Sequence, residues 1–161
     1  MPDRPFLGRG VICLAATTLA LIAAGCGTKE NDLAPAACLA TPNGYLHALQ
    51  SAPAAVRLPG GVAISDCLVP NQGGGQLASV GHSMVIAATR LNVAARRDPS
   101  GEASVQLGYL IAAVSKGADP IHTDLVRRLN AAARFSQTGG TLPAGFERAF
   151  GRGYAAGHQS G

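Results

Sequence analysis

Apolar residues recur at intervals of three and four through most of the second half of the chain, the spacing that puts them on one face of an α-helix. Leu77, Val80, Met84, Ala87, Leu91 and Ala94 form the longest such series, predicting an amphipathic helix from Gln76 to about Arg97. Arg90, Arg96 and Arg97 lie toward its C-terminal end, where the helix dipole favours cations. Asp98-Pro99 then reads as an N-cap with proline in the first turn. It opens a helix over 99–116 with Leu107, Leu110, Ile111 and Val114 inward and Gly117 as the stop. Asp119-Pro120 repeats the start signal for a helix over 120–134, with Ile121, Leu125, Leu129 and Ala132 on one face and Asp124 and Arg128 paired on another. After Gly139-Gly140, Pro143 starts a last helix over 142–157. Phe146, Phe150 and Tyr154 form its apolar stripe, and Gly153 and Gly157 allow close helix packing.

The stretch before Gln76 has a different pattern. Thr41-Pro42 reads as an N-cap and first turn of a short helix, Pro42 to about Ser51, with Tyr45, Leu46 and Leu49 inward and Pro53 ending it. Residues 54–75 are rich in Pro and Gly; Val56/Leu58 and Val62/Ile64 alternate around Pro59-Gly60-Gly61, which suggests a small hairpin. Gly73-Gly74-Gly75 reads as a flexible entry to the long helix, with no Lys-Ser or Lys-Thr behind it to make a phosphate loop. Short connections make neighbouring helices antiparallel. The fold class predicted is mainly α: a small antiparallel bundle of four to five helices with an irregular loop region.

The N-terminus changes the picture. Arg4 and Arg9 precede an apolar run, Val11 to Ala24, of about 14 residues. A membrane-spanning helix needs about 20, so the run reads as the core of a secretion signal. It ends Leu21-Ile22-Ala23-Ala24-Gly25-Cys26. Small residues before a cysteine resemble the lipobox of bacterial lipoproteins, with Ala23 standing where leucine is more usual. The resemblance covers residues 4–26 and implies cleavage after Gly25 and a diacylglyceryl group on Cys26. Two acyl chains suffice for stable anchoring. The expected organisation is a signal peptide over 1–25, anchor and tether over 26–37, a helical domain over 38–157 and a frayed tail over 158–161. Cys13 leaves with the signal and Cys26 takes the lipid, so Cys38 and Cys67 remain as a pair in an oxidising compartment, where a disulfide is the default. It would pin the loop region.

Composition narrows the function classes. From Cys26 onward there are eleven Lys and Arg against eight Asp and Glu. That is a mild attraction to anionic surfaces and not a nucleic-acid footprint. The Ala, Gly and Arg bias is that of a high-GC genome. The domain resembles actinobacterial envelope proteins, a likeness that implies no function.

Candidate chemistry is sparse. Gly81-His82-Ser83-Met84-Val85 resembles the nucleophile elbow of α/β-hydrolases, but it falls inside a helical pattern and ends in Val85; His82 and Ser83 therefore read as helix surface. No two of His47, His82, His122 and His158 stand at i,i+4, so no local metal site is expected and no cofactor is implied. Asp98 and Asp119 read as caps, Asp124 and Glu147 as partners of surface arginines, and Asp66 as the cap of a short turn. Arg148, Phe150, Arg152 and Tyr154 interleave charge and rings, which reads as an amphipathic helix with the rings inside and the arginines outside, where they could contact anionic lipid or cell-wall polymer. The expectation is an extracytoplasmic, lipid-anchored domain that binds or scaffolds in the cell envelope, its partners the membrane and an envelope protein or anionic polymer. The rival is a small envelope enzyme with a site assembled from separate helices around His82 and His122.

Overall fold

The structure is a computed structural model that describes residues 31–135 and 140–161. Cys26 and the segment expected to be a signal lie outside the described residues. The architecture is a bundle of five helices: α1 (Pro42–Leu49), α2 (Gly74–Arg97), α3 (Glu102–Gly117), α4 (Thr123–Ala132) and α5 (Ala144–Ser160). Short 3-10 turns at Ala36–Leu39, Pro59–Gly61, Ser65–Cys67 and Pro120–His122 punctuate the connections.

α3 is the centre. Residues Leu107 to Val114 are all buried, together with Ser104 and Val105, so the helix has no polar face wide enough to meet water and must be enclosed. α2 covers one side of it with Val80, Met84, Ala87, Ala88, Leu91 and Ala95. α4 adds Leu125 and Leu129, and α1 adds Tyr45 and Leu49. α5 lies against α3 backbone to backbone. A Cβ on Gly153, Gly157 or Gly108 would overlap, in turn, the carbonyl oxygens of Val105, Tyr109 and Phe150. Close packing through Gly153 and Gly157 is thus present, and Gly108 supplies its counterpart.

α2 and α4 run in the same direction, and α3 runs against both. One end of the bundle gathers the starts of α2 and α4, the end of α3 and the end of α5: His122 reaches Gln72 and Lys116 Nζ donates to Gln159 O at 3.1 Å. At the opposite end, Asn92 donates to Ala132 O, the last carbonyl of α4, and both Asn92 and Arg96 donate to Arg134 O just beyond it. Gly145 faces Ser100 there.

Several local expectations need correction. α3 begins at Glu102 behind Gly101, not at Pro99. Asp98 still closes α2, its N–H donating to Ala94 O, and Gly101 N–H returns to Asp98 O at 3.1 Å; the Asp-Pro signal is consumed by the reversal between two antiparallel helices. The inward path of α2 passes from Leu91 to Ala95 and leaves Ala94 exposed, because a 3.6-residue period drifts over 24 residues. Leu77 is half-buried. Ser83, read as surface, is buried, while His82 is exposed. Asp119-Pro120 opens a 3-10 turn before α4. That tighter turn points His122 inward and leaves Ile121 46% exposed. Asp124 pairs with Arg127 one step nearer than Arg128. On α5 the buried set is Phe146, Ala149, Gly153 and Gly157, with Tyr154 40% exposed, since the close approach to α3 leaves no room for a ring. The aromatic stripe survives as a ladder along the edge, with centroid separations of 4.4 Å for Phe135–Phe146, 5.4 Å for Phe146–Phe150 and 6.1 Å for Phe150–Tyr154.

The tail and the tether are also better held than their composition suggests. α5 continues to Ser160. Arg57 Nη1 donates to Ser160 O at 2.7 Å, Ser65 Oγ to Gly161 O at 2.7 Å, and Ser160 Oγ lies 3.0 Å from Tyr109 Oη. At the other terminus, Asp32 bridges to Gln72 and Ala34 is buried, so residues 32–37 of the expected tether lie on the domain. The hairpin is reduced to one antiparallel bridge, Leu58 to Val62, around the Pro59–Gly61 turn. Gly74 and Gly75 are the first turn of α2, with Gly73 as its N-cap.

Candidate functional site

The most organised polar assembly joins the start of α2 to the start of α4. Asp119 N–H donates to His122 Nδ1 at 2.9 Å, the return half of a capping box in which His stands where Glu or Gln is usual. An Nδ1 that accepts carries no proton. The ring is therefore neutral, protonated at Nε2, and donates to Gln72 Oε1 at 3.1 Å. Gln72 Nε2 then faces Cys67 O at 3.2 Å and Gln76 Oε1 at 3.4 Å. Gln76 Oε1 also accepts from Ala34 N–H at 2.9 Å, and its Nε2 faces Ala34 O at 3.4 Å. One chain of bonds thus ties the N-terminal segment, the disulfide loop, α2 and the cap of α4.

His122 is fully buried. Burial pushes its pKa below the ordinary 6.5, while the charge of Asp119 and a backbone hydrogen bond pull the other way and lose. A protonated Nδ1 would also face the Asp119 N–H donor to donor. The group therefore acts as a fixed clasp rather than as an acid or base.

Beside this chain lies the disulfide. Cys38 and Cys67 have Sγ atoms 2.07 Å apart and Cα atoms 5.3 Å apart, within the normal span of a bridge. Both are fully buried. Tyr45 covers them, its hydroxyl donating to Cys38 O at 2.7 Å, and burial pushes its phenol well above its ordinary value. Asp66 Oδ2 accepts from Ala63 N–H at 3.0 Å and so caps the turn that presents Cys67.

The other residues singled out by sequence stay apart. His47, His82 and His158 are exposed on α1, α2 and α5. No hydrogen bond links His82 to His122 among the described residues, and no group of three or more His, Cys, Asp or Glu there is arranged to hold a metal ion. The Gly81-His82-Ser83 segment lies in the middle of α2, and Gly81 faces Leu125. Gln72, the hub of the polar chain, went unnoticed in the sequence. The one usable signal was His122 itself, at the capping-box position after Asp119-Pro120.

The outward-facing candidate is α5. Arg148, Arg152 and Tyr154 are exposed along it, while Gly153 and Gly157 bury the opposite side. Two guanidinium groups one turn apart suit an anionic surface, while Tyr154 stands on another side of the helix, stacked on Phe150.

No family model matches the chain, and neither a curated protein nor a solved structure is similar to it.

Proposed function

We propose that this chain is a lipid-anchored extracytoplasmic domain that binds an anionic component of the cell envelope through the outer face of α5. The observation that carries the reading is the exposure of Arg148 and Arg152, one turn apart, on a helix whose other side is locked to α3 by glycines. A helix fixed that closely holds the backbone positions of its two arginines at a set spacing. The lipobox-like ending at Cys26 and the buried Cys38–Cys67 bridge support the compartment, because disulfides persist outside the reducing cytosol.

The test has two arms. Metabolic labelling with an alkyne fatty acid should mark the wild-type chain and not Cys26→Ser; label on the variant defeats the anchor. Vesicles bearing the full lipidated chain should retain a polyanionic cell-wall polymer in a salt-dependent way. The Arg148→Glu, Arg152→Glu double variant should lose most of that retention. Equal retention by the double variant defeats the α5 reading.

A further inference from the structure

The place where the chain joins the domain has consequences for how the domain stands on a membrane. Asp32 pairs with Gln72, and Ala34 is hydrogen-bonded to Gln76 at 2.9 Å. The domain therefore begins at Asp32, six residues after Cys26. An extended chain covers about 3.3–3.6 Å per residue, so a lipid-anchored Cys26 reaches Asp32 across roughly 20 Å at most. α2, which starts beside Gln72, has 24 residues and runs for about 36 Å at 1.5 Å per residue. A tether shorter than the bundle cannot let it invert: the far end of α2 cannot rest on the bilayer with the near end lifted clear.

The near end carries exposed apolar side chains of its own. Leu33 is 81% exposed and follows Asp32 directly, and Ile121 is 46% exposed and precedes His122 directly. Asp32 and His122 both meet Gln72, which puts Leu33 and Ile121 at the same end of the bundle although they are far apart in sequence. Lys116 and Arg57 share this end through Gln159 O and Ser160 O, and the exposed Val93 and Arg96 lie at the opposite one.

We propose that this end of the bundle rests on the lipid bilayer, with Leu33 and Ile121 entering the interface and the end that carries Val93 and Arg96 directed away from it. The proposal rests on the lipid-anchor reading above. The carboxylates of Asp32 and Asp119 and the cations of Arg57 and Lys116 are all exposed at this end, so its charges balance, the apolar side chains carry the contact, and salt changes it little.

The full chain, reconstituted in vesicles of phosphatidylethanolamine and phosphatidylglycerol containing a diazirine phospholipid, tests this by photolabelling and peptide mass mapping. Carbene adducts are expected on residues 31–35 and 119–123 at several-fold the level found on 96–101 and 132–135, at low and high salt alike. The Leu33→Asp, Ile121→Asp double variant should lose that labelling several-fold while keeping its helical circular dichroism and the lipid mass on Cys26. A lipidated chain labelled evenly, or chiefly at 96–101, overturns the orientation and leaves the anchor standing. A chain without lipid mass on Cys26 overturns the anchor and the orientation with it.

Discussion

Gly153 of α5 lies so close to the carbonyl oxygen of Val105 on α3 that a Cβ at this position would overlap it. Gly157 repeats the relationship one turn later with Tyr109. α5 is therefore held by backbone contact, and the glycines set its depth. Gly153→Ala is expected to push the helices apart and cost about 1–3 kcal/mol or more, as overpacking of a tight interface does. Gly151 is the control: it is exposed and a Cβ there meets nothing within 4 Å. Gly151→Ala should instead stabilise by about 0.5–1 kcal/mol through helix propensity. Urea unfolding of both variants checks the opposite signs; equal effects would mean that α5 does not pack as closely as described.

The disulfide closes a loop of 29 residues that holds α1, the Pro59–Gly61 turn and Cys67 beneath Tyr45. Replacing both cysteines, Cys38→Ser with Cys67→Ser, should cost about 2–5 kcal/mol. The loss should be matched by adding reductant to the wild-type chain. A melting temperature unmoved by either treatment would show that the polar chain through Gln72 holds this region unaided.

His122 predicts a dependence on pH. Its pKa is lower in the folded protein than the 6.5 of the unfolded chain. The unfolded state then binds the proton more readily, and stability falls as protons become available. The contribution is fully present above about pH 7 and is lost as the pH drops below 6.5 toward the folded value. Denaturant midpoints measured between pH 7.5 and 5.5 should decline for the wild-type chain. His122→Gln should flatten that decline, because an amide can accept from Asp119 without titrating. A slope unchanged in the variant would assign the dependence to another group.

The bundle was legible in the sequence because helix periodicity and Asp-Pro, Thr-Pro and Gly signals are local. Thr41 accepts from Gly44 N–H at 3.3 Å as an N-cap should, and Gly117 ends α3 where a Cβ would strike Ser65 O. What sequence could not supply was the identity of the partner. Whether Tyr154 or Gly153 faces inward depends on how close α3 comes, and that depends on Gly108, 45 positions away. Ser83 is buried, which no property of residues 76–97 announces. The tail Gly157-His158-Gln159-Ser160-Gly161 reads as frayed by composition, yet it is held by Arg57, Ser65 and Lys116 from three distant segments. Gln72 is an unremarkable polar residue in a loop until His122, 50 positions later, needs an acceptor.

Gly81 and Leu125 are the contact between α2 and α4 that best tests the core. A Cβ on Gly81 would stand 3.0 Å from Leu125 Cδ1 and 3.6 Å from Cδ2, and Leu125 is 5% exposed. Leu125→Ala removes the side chain that fills this gap and should cost about 2–5 kcal/mol, a large share of the stability of a domain this size. His82→Ala, on an exposed position of the same helix, should stay within about 0.5 kcal/mol. Gly81→Ala alone presses on the end of a flexible side chain, so a small gain in helix propensity opposes a small strain. In the Leu125→Ala background that strain is gone and the new methyl enters the vacated space. The double variant should therefore be more stable than the sum of the single effects by about 0.5–1 kcal/mol, the range expected for residues in contact. A denaturant series of the wild type, the two single variants and the double variant measures this coupling. Strict additivity would mean that α4 does not seat Leu125 on Gly81, and that the register of the two helices differs from the one described.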